Sequence, residues 1–351
     1  MNPIFKEKVI KNYLSLKVNK VDPYLINDDV SNKFSTLIKD DLLENMCYVI
    51  ELNPGHGLLT RRLLEAGVPF MHLYENHGAF YHELQNLEVI FPNQVKITKA
   101  NLLKIPKMLN LNKACHAFNS PNIHLCELYN NIPKRKWEDK SCMQVIGTVI
   151  EPLFLRHLLL SVVFQTGFMM HGRTIFYLAL SPSIWNKFTC FNKRNLTSYT
   201  MFNVLFNSTM FGTLDRKGFL PWQQITRKLK TKKFILEDDI ELLYVVKLEP
   251  NSNLLSLFGG REHLIYFWHF ARHYLYKPSS RVIPTLEKII PGFGERLIKK
   301  NYNIFTQFKE LNTDEIIDLY MEFKSCPEFN ESSFLPSGDD IRRIYDPYME
   351  I

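Results

Sequence analysis

The sequence predicts an α/β protein: a doubly wound, mostly parallel sheet followed by a small all-α C-terminal domain. Three observations predict it. A glycine-containing turn joins an apolar strand to an amphipathic helix near residue 55, strand and helix patterns then alternate, and helical periodicity takes over from residue 251. The chain therefore divides into a basic targeting or surface segment at 1–20, a sheet domain at 21–250 and a helical domain at 251–351.

The first strand is expected at 47–52 and its helix at 58–66, with Gly67 placed to close that helix in a left-handed cap. Gly55 and Gly57 let the backbone approach a ligand without a Cβ in the way, and the helix N-terminus beyond offers free N–H groups. A second apolar strand at 70–74 ends in Glu75. A carboxylate some twenty residues past such glycines can accept from both hydroxyls of a ribose; as a purely structural feature it is a polar strand end. Further strands are expected at 95–98, 143–147, 174–180 and 242–248, and a helix from Pro152. Helices are expected at 262–276, 284–290 and 314–323, the last with Thr313 as N-cap. The aromatic stretch Tyr266-Phe267-Trp268-His269-Phe270 spreads its rings around a helix, which points to burial rather than to a nucleic-acid platform.

With 351 residues, 46% hydrophobic and 23% charged, the composition is that of an ordinary globular chain. The net charge of +7 permits a nucleic-acid partner without requiring one. Six cysteines without a C-x-x-C pair point to reduced thiols, and Cys115, His116, His124 and Cys126 match no zinc spacing, so no metal is expected. The most apolar stretch, 153–170, carries Arg156, His157 and Gln165, which argues for a packed helix and no membrane partner. Residues 1–20 hold five lysines against one acid between apolar positions, compatible with a mitochondrial presequence or a surface helix.

Residues 51–67, ELNPGHGLLTRRLLEAG, resemble the first motif of the rRNA adenine dimethyltransferase superfamily, and the Asn-Pro-Gly version resembles its mitochondrial transcription factor B branch. HLYENHGAF (72–80), QVIG (144–147), Pro221-Trp222, LYVVKLEPNSNL (243–254), YNIF (302–305) and ELNTDEIIDL (310–319) follow in order. The resemblance implies an S-adenosylmethionine-dependent methyltransferase (Rossmann-like) fold. It also places Ile26, Glu51, Asn53, Gly55, Gly57, Glu75, Asn101 and Gly147 around a vestigial cofactor pocket.

Departures from the family pattern define the functional expectation. The enzymes hold a flipped adenine with Asn-Leu-Pro-Tyr or a close variant after the fourth strand, an arrangement that supplies two acceptors and a stacking ring. This chain has Gly147-Thr148-Val149-Ile150 there. A four-residue shift to Glu151-Pro152-Leu153-Phe154 would recover a carboxylate and a ring. The family's Phe-x-Pro-x-Pro-x-Val-x-Ser motif is also absent where Phe219-Leu220-Pro221-Trp222 stands. Asn53 adds a side chain where a loop glycine is usual, and Asn101 replaces an Asp that accepts from the cofactor's adenine, without its charge.

No catalytic residue is therefore assigned, and S-adenosylmethionine is expected to bind weakly or not at all. By resemblance the chain is a monomeric initiation factor of the mitochondrial matrix nucleoid. Its partners are the single-subunit mitochondrial RNA polymerase, promoter DNA and an HMG-box mitochondrial transcription factor. Lys134, Arg135 and Lys136, then Arg227, Lys228, Lys230, Lys232 and Lys233, concentrate positive charge suited to phosphates, or form solvated faces. Trp222, and Phe188 and Phe191 near Lys187, Lys193 and Arg194, are candidate stacking rings. The rival readings are an active rRNA adenine dimethyltransferase of the mitochondrial small subunit and a pure protein-interaction module.

Overall fold

The computed structural model describes residues 23–104, 132–220 and 238–335. The segments 1–20 and Cys115 to Cys126, and Trp222 with the basic run ending at Lys233, lie outside the described residues. The chain separates into two compact units. The first comprises the chain through Leu158 with Gly167–Asn186 and Asn207–Pro250; the second comprises Leu159–Thr166, Lys187–Phe206 and the chain from Asn251.

The first unit begins with β1 (Tyr24–Leu25) and α1 (Asp28–Glu44). The Asn27 side chain caps α1 by accepting from the N–H groups of Asp29 and Val30, and Asp28 and Asp29 suit the positive end of the helix dipole. Then follow β2 (Tyr48–Leu52), α2 (Leu58–Glu65), β3 (Met71–Tyr74), α3 (Gly78–Ile90) and β4 (Val95–Thr98). Gly67 has φ +104° and closes α2 as expected, with the Val68 N–H donating to the Leu63 carbonyl at 3.0 Å. After residue 132 come β5 (Met143–Val149), α4 (Pro152–Phe164), β6 (Thr174–Leu180), α5 (Pro182–Thr189), α6 (Leu196–Leu205) and β7 (Phe206–Asp215), of which α6 and the last residues of α4 and α5 belong to the second unit. The short β8 (Phe219–Leu220) pairs antiparallel with β1, and α7 (Asp238–Glu241) leads into β9 (Leu242–Pro250).

Seven strands form one sheet in the order β4-β3-β2-β5-β6-β9-β7. The pairs from β4 to β6 are parallel, and β9 runs antiparallel to β6. From β2 the chain steps outward to β3 and β4, then returns to build β5 and β6 on the other side. The carboxyl ends of β2 and β5 therefore flank a topological switch point, where open α/β sheets bind ligands. Central strands covered on both faces read as unbroken apolar runs, and β6, Thr-Ile-Phe-Tyr-Leu-Ala-Leu, is buried at every position. The stretch Pro152–Met169 is long and apolar enough to cross a membrane by composition, yet 67% of it is buried inside the protein.

Expected boundaries shift by a few residues: the strand at 242–248 extends to Pro250, and the helix at 284–290 spans Val282–Glu287. β5 extends two residues beyond 147, because Thr148 and Val149 continue in register with Ala179 and Leu180. The N-cap of the final helix is Asn312 rather than Thr313: Asn312 and Glu315 form a reciprocal capping box ahead of α12.

The second unit adds α8 (Leu254–Phe258), α9 (Arg261–Tyr274), α10 (Val282–Glu287), α11 (Phe293–Lys299) and α12 (Thr313–Lys324). Its core is aromatic. Phe267 stacks on Phe258 at 4.6 Å, and Phe270 meets Tyr320 at 5.4 Å and Tyr274 at 4.8 Å. The run around residue 268 is thus packing material, as its periodicity implied.

Gly57 illustrates the constraint on the loop after β2. Its φ is +71°, and an added Cβ would press into Leu84 and Leu87 of α3. Gly57→Ala should lower the free energy of unfolding by about 2–4 kcal/mol in a urea titration, combining backbone strain with overpacking. A loss below about 0.5 kcal/mol, the range of neutral surface changes, would contradict this account of the loop.

Candidate functional site

The loop from Asn53 to Gly57 leaves the carboxyl end of β2 at the switch point. Asn53 takes φ +50°, a left-handed conformation that Asn tolerates better than most residues, and its N–H donates to the Tyr74 carbonyl at 2.9 Å. Gly55 is also left-handed, with φ +61°. The resemblance puts the ribose acceptor at Glu75, and the fold brings Glu75 directly to this loop.

Glu75 is completely buried, and its carboxylate is already engaged by the chain itself. Oε2 accepts from the Gly55 N–H at 3.1 Å, and Oε1 accepts from the His77 N–H at 2.7 Å and more distantly from the Tyr24 hydroxyl at 3.3 Å. Burial pushes its pKa up to about 7, against the pull of the donors from His77, Gly55 and Tyr24. A carboxylate offers about four lone-pair sites. A ribose diol would have to displace at least one of these donors.

Tyr24 was missed by the sequence reading, which placed Ile26 at the pocket lip. Ile26 follows β1, its N–H donating to the Gly218 carbonyl at 2.9 Å beside the β1–β8 pair. Tyr24 covers the loop. Its Cδ1 lies 2.9 Å from where a Cβ on Gly55 would stand, and its ring packs 4.6 Å from that of Phe80. His56 and His77 set their rings against Phe80 as well, at 4.8 and 5.2 Å.

The other pocket residues are held by local partners. Glu51 is buried and accepts from the Thr60 hydroxyl at 2.6 Å; burial raises its pKa to about 7, the Thr60 bond opposes the rise and the nearby Glu75 adds to it. The Asn101 side-chain oxygen accepts from the Leu103 N–H at 3.0 Å, so the group expected to meet an adenine amine stabilises a 3₁₀ turn. Gly147 lies in β5 opposite Leu178, and a Cβ there would meet the Leu52 side chain at 3.1 Å, so this glycine serves close packing between β5 and β2.

At the end of β5 the backbone of Gly147, Thr148 and Val149 continues the strand beside β6. Of the four residues that the resemblance sets against the adenine-binding tetrapeptide, Gly147, Thr148 and Val149 are strand and Ile150 follows it. The shifted alternative also loses its ring: Phe154 is 3% exposed and packs edge-on to Phe168 and Phe176 at 6.0 and 6.5 Å.

The candidate nucleic-acid residues separate. Lys134 and Lys136 are exposed, but the Arg135 guanidinium donates to the Ser141 carbonyl at 2.8 Å and its N–H to the His171 carbonyl. These bonds place the cluster beside the amino ends of β5 and β6, at the opposite end of the strands from the loop after β2. Phe188 is fully buried against Phe202, so it cannot stack on a base. Phe191 is 49% exposed, edge-on to Tyr199, with exposed Lys193 and Arg194 following it. Among the described residues no group of three or more His, Cys, Asp or Glu side chains could hold a metal, and Cys47, Cys142, Cys190 and Cys326 are free thiols.

No protein-family model matches the chain. It is 28% identical over 359 aligned residues to "Dimethyladenosine transferase 2, mitochondrial" of Drosophila melanogaster, covering 90% of this chain and 78% of that protein. The Bos taurus protein of the same name is 23% identical, covering 86% and 74%. Among solved structures, a dimethyladenosine transferase from Plasmodium falciparum superposes with a TM-score of 0.53 at 12% identity, over 86% of this chain and 97% of the other. The 23S rRNA methyltransferase ErmE gives 0.50 at 11% identity, over 86% and 100%. The expected fold class is borne out: the sheet is that of S-adenosylmethionine-dependent methyltransferases of the rRNA dimethyltransferase type.

The two buried carboxylates make a pH prediction. An acid whose folded pKa lies near 7 instead of 4.5 contributes stability that is fully present below about pH 4.5 and is lost as pH rises through 7. The thermal midpoint of the wild-type chain should therefore fall relative to that of Glu51→Gln between pH 5 and 8, on the order of a few degrees. Parallel profiles for the two proteins would contradict the assignment.

Proposed function

We propose that this chain, which carries the rRNA adenine dimethyltransferase scaffold and is similar over most of its length to mitochondrial dimethyladenosine transferase 2, is a mitochondrial transcription initiation factor. It assists the single-subunit mitochondrial RNA polymerase in melting promoter DNA in the matrix nucleoid, together with an HMG-box protein that bends the DNA. It needs no cofactor, and S-adenosylmethionine binds weakly or not at all. The observation that supports loss of the methyltransferase chemistry is the end of β5. Methylating an adenine amine requires acceptors for its N–H groups and a ring against its face, whereas Gly147-Thr148-Val149 is laddered strand and Phe154 is core. The mitochondrial setting is supported by the names of both relatives.

Magnitudes favour an accessory role. Each base-pair step costs about 1.4 kcal/mol of stacking, and one unpaired base captured on an aromatic ring returns about 1–3 kcal/mol. One or two trapped bases offset one or two steps, so the factor traps strands that polymerase and DNA bending help to separate. Phe191 with Lys193 and Arg194 offers such a ring and charge on the second unit. The sequence adds Trp222 with the basic run Arg227, Lys228, Lys230, Lys232 and Lys233.

The rival reading, an active rRNA adenine dimethyltransferase, is supported by the relatives' names and by the retained Gly55, Gly57 and Glu75. Run-off transcription separates the two. With polymerase present, a fully duplex promoter should require this protein and a pre-melted promoter should not; equal transcription from both templates without it would refute the initiation role. For the strand contacts, replacing Phe191, Lys193 and Arg194 together with Ala should weaken binding to single-stranded DNA at least tenfold. It should also reduce the logarithmic salt slope by about 1.4, the loss of two single-strand phosphate contacts. An unchanged slope would remove this loop from the interface.

A further inference from the structure

We propose that Tyr24 is a built-in occupant of the ribose-binding position, its ring filling the open face of Gly55 and its hydroxyl engaging Glu75. The proposal rests on the reading that the cofactor is lost and names the group that excludes it. The loop glycine leaves a space that a Cβ would fill, and in cofactor-binding loops the ligand backbone or sugar uses that space. Here Tyr24 Cδ1 stands 2.9 Å from that Cβ position. Tyr24 is only 6% exposed, held from one side by Phe80 and partly buried Leu220. Its strand is fixed by register with β8, Tyr24 opposite Leu220 and Leu25 opposite Phe219, and by the Ile26 N–H on the Gly218 carbonyl.

Geometry at the carboxylate completes the case. A diol donates two hydrogen bonds to one carboxylate. Oε1 of Glu75 already receives two donors, from His77 and Tyr24, and Oε2 receives one from Gly55. The Asn76 N–H adds a fourth favourable donor to the same group. The backbone donors are fixed by the loop and by the turn after β3. Tyr24 is the one side chain in the set, so its removal vacates an acceptor position and the space over Gly55 together.

The test is calorimetric titration of the full chain with S-adenosylhomocysteine, in wild type, Tyr24→Phe, Tyr24→Ala and each variant combined with Glu75→Gln. Tyr24→Phe removes only the hydroxyl and should tighten binding about threefold to tenfold. Tyr24→Ala also removes the ring and should tighten it further, while either gain should vanish in the Glu75→Gln background. Should Tyr24→Ala unfold, Tyr24→Leu removes the hydroxyl and the aromatic plane while keeping an apolar filler. No gain from either Tyr24→Phe or the ring-removing variant overturns the proposal, as does a gain that persists without the Glu75 carboxylate. Low-micromolar binding by the wild type would instead refute the lost-cofactor reading, and the variant-to-wild-type ratio would still judge Tyr24.

Discussion

Glu75 has no exposed surface, and it joins pieces of chain that lie far apart in sequence: the turn after β2, the turn after β3 and the short strand β1. A buried carboxylate left without partners would be costly, so the donors around it are fixed in place by what they satisfy. Gly55 must turn its N–H inward, which fixes the left-handed loop. That loop requires Gly57 to pass tightly over Leu84 and Leu87, and so sets where α3 lies against it. The shape of the switch point follows from this node whether or not a ligand ever reaches it.

The glycines, Glu51 and Glu75 are each tied into the protein's own hydrogen bonding or packing, so their retention carries a structural reason. The end of β5 is tied to its neighbouring strand. The strand extends through Val149, satisfies its backbone with β6 and leaves only Ile150 and Glu151 before α4. Phe154, the one ring that a shifted alignment could offer, lies in the core with Phe168 and Phe176.

Much of the fold was legible because it obeys short-range rules. Strands at 95–98 and 174–180 begin and end where the apolar runs meet turn residues, and Gly67 closes α2 as its position implied. What was missed depends on distant partners. β1 is two residues long, has no period to detect, and pairs with residues nearly two hundred positions away, so Tyr24 left no signal beyond being an aromatic residue near Ile26. The edge strand β7 presents Asn207, Ser208, Thr209 and Met210 outward and lacks the alternation that marks a strand. Charge density was likewise visible at Lys134, Arg135 and Lys136, but only the structure shows the Arg135 guanidinium held by the Ser141 carbonyl at the far end of the strands. Phe188 and Phe191 look alike in sequence, and burial alone assigns one to the core and the other to the surface.

We propose that the end of β5 no longer supports methyl transfer. The most direct test is incubation of the purified chain with a small-subunit rRNA hairpin and saturating radiolabelled S-adenosylmethionine, followed by counting methyl groups per protein molecule. The account predicts fewer than about one methyl group transferred per molecule over hours, against typical enzyme rates of 1 per second or faster. Repeated turnover yielding dimethyladenosine would contradict it.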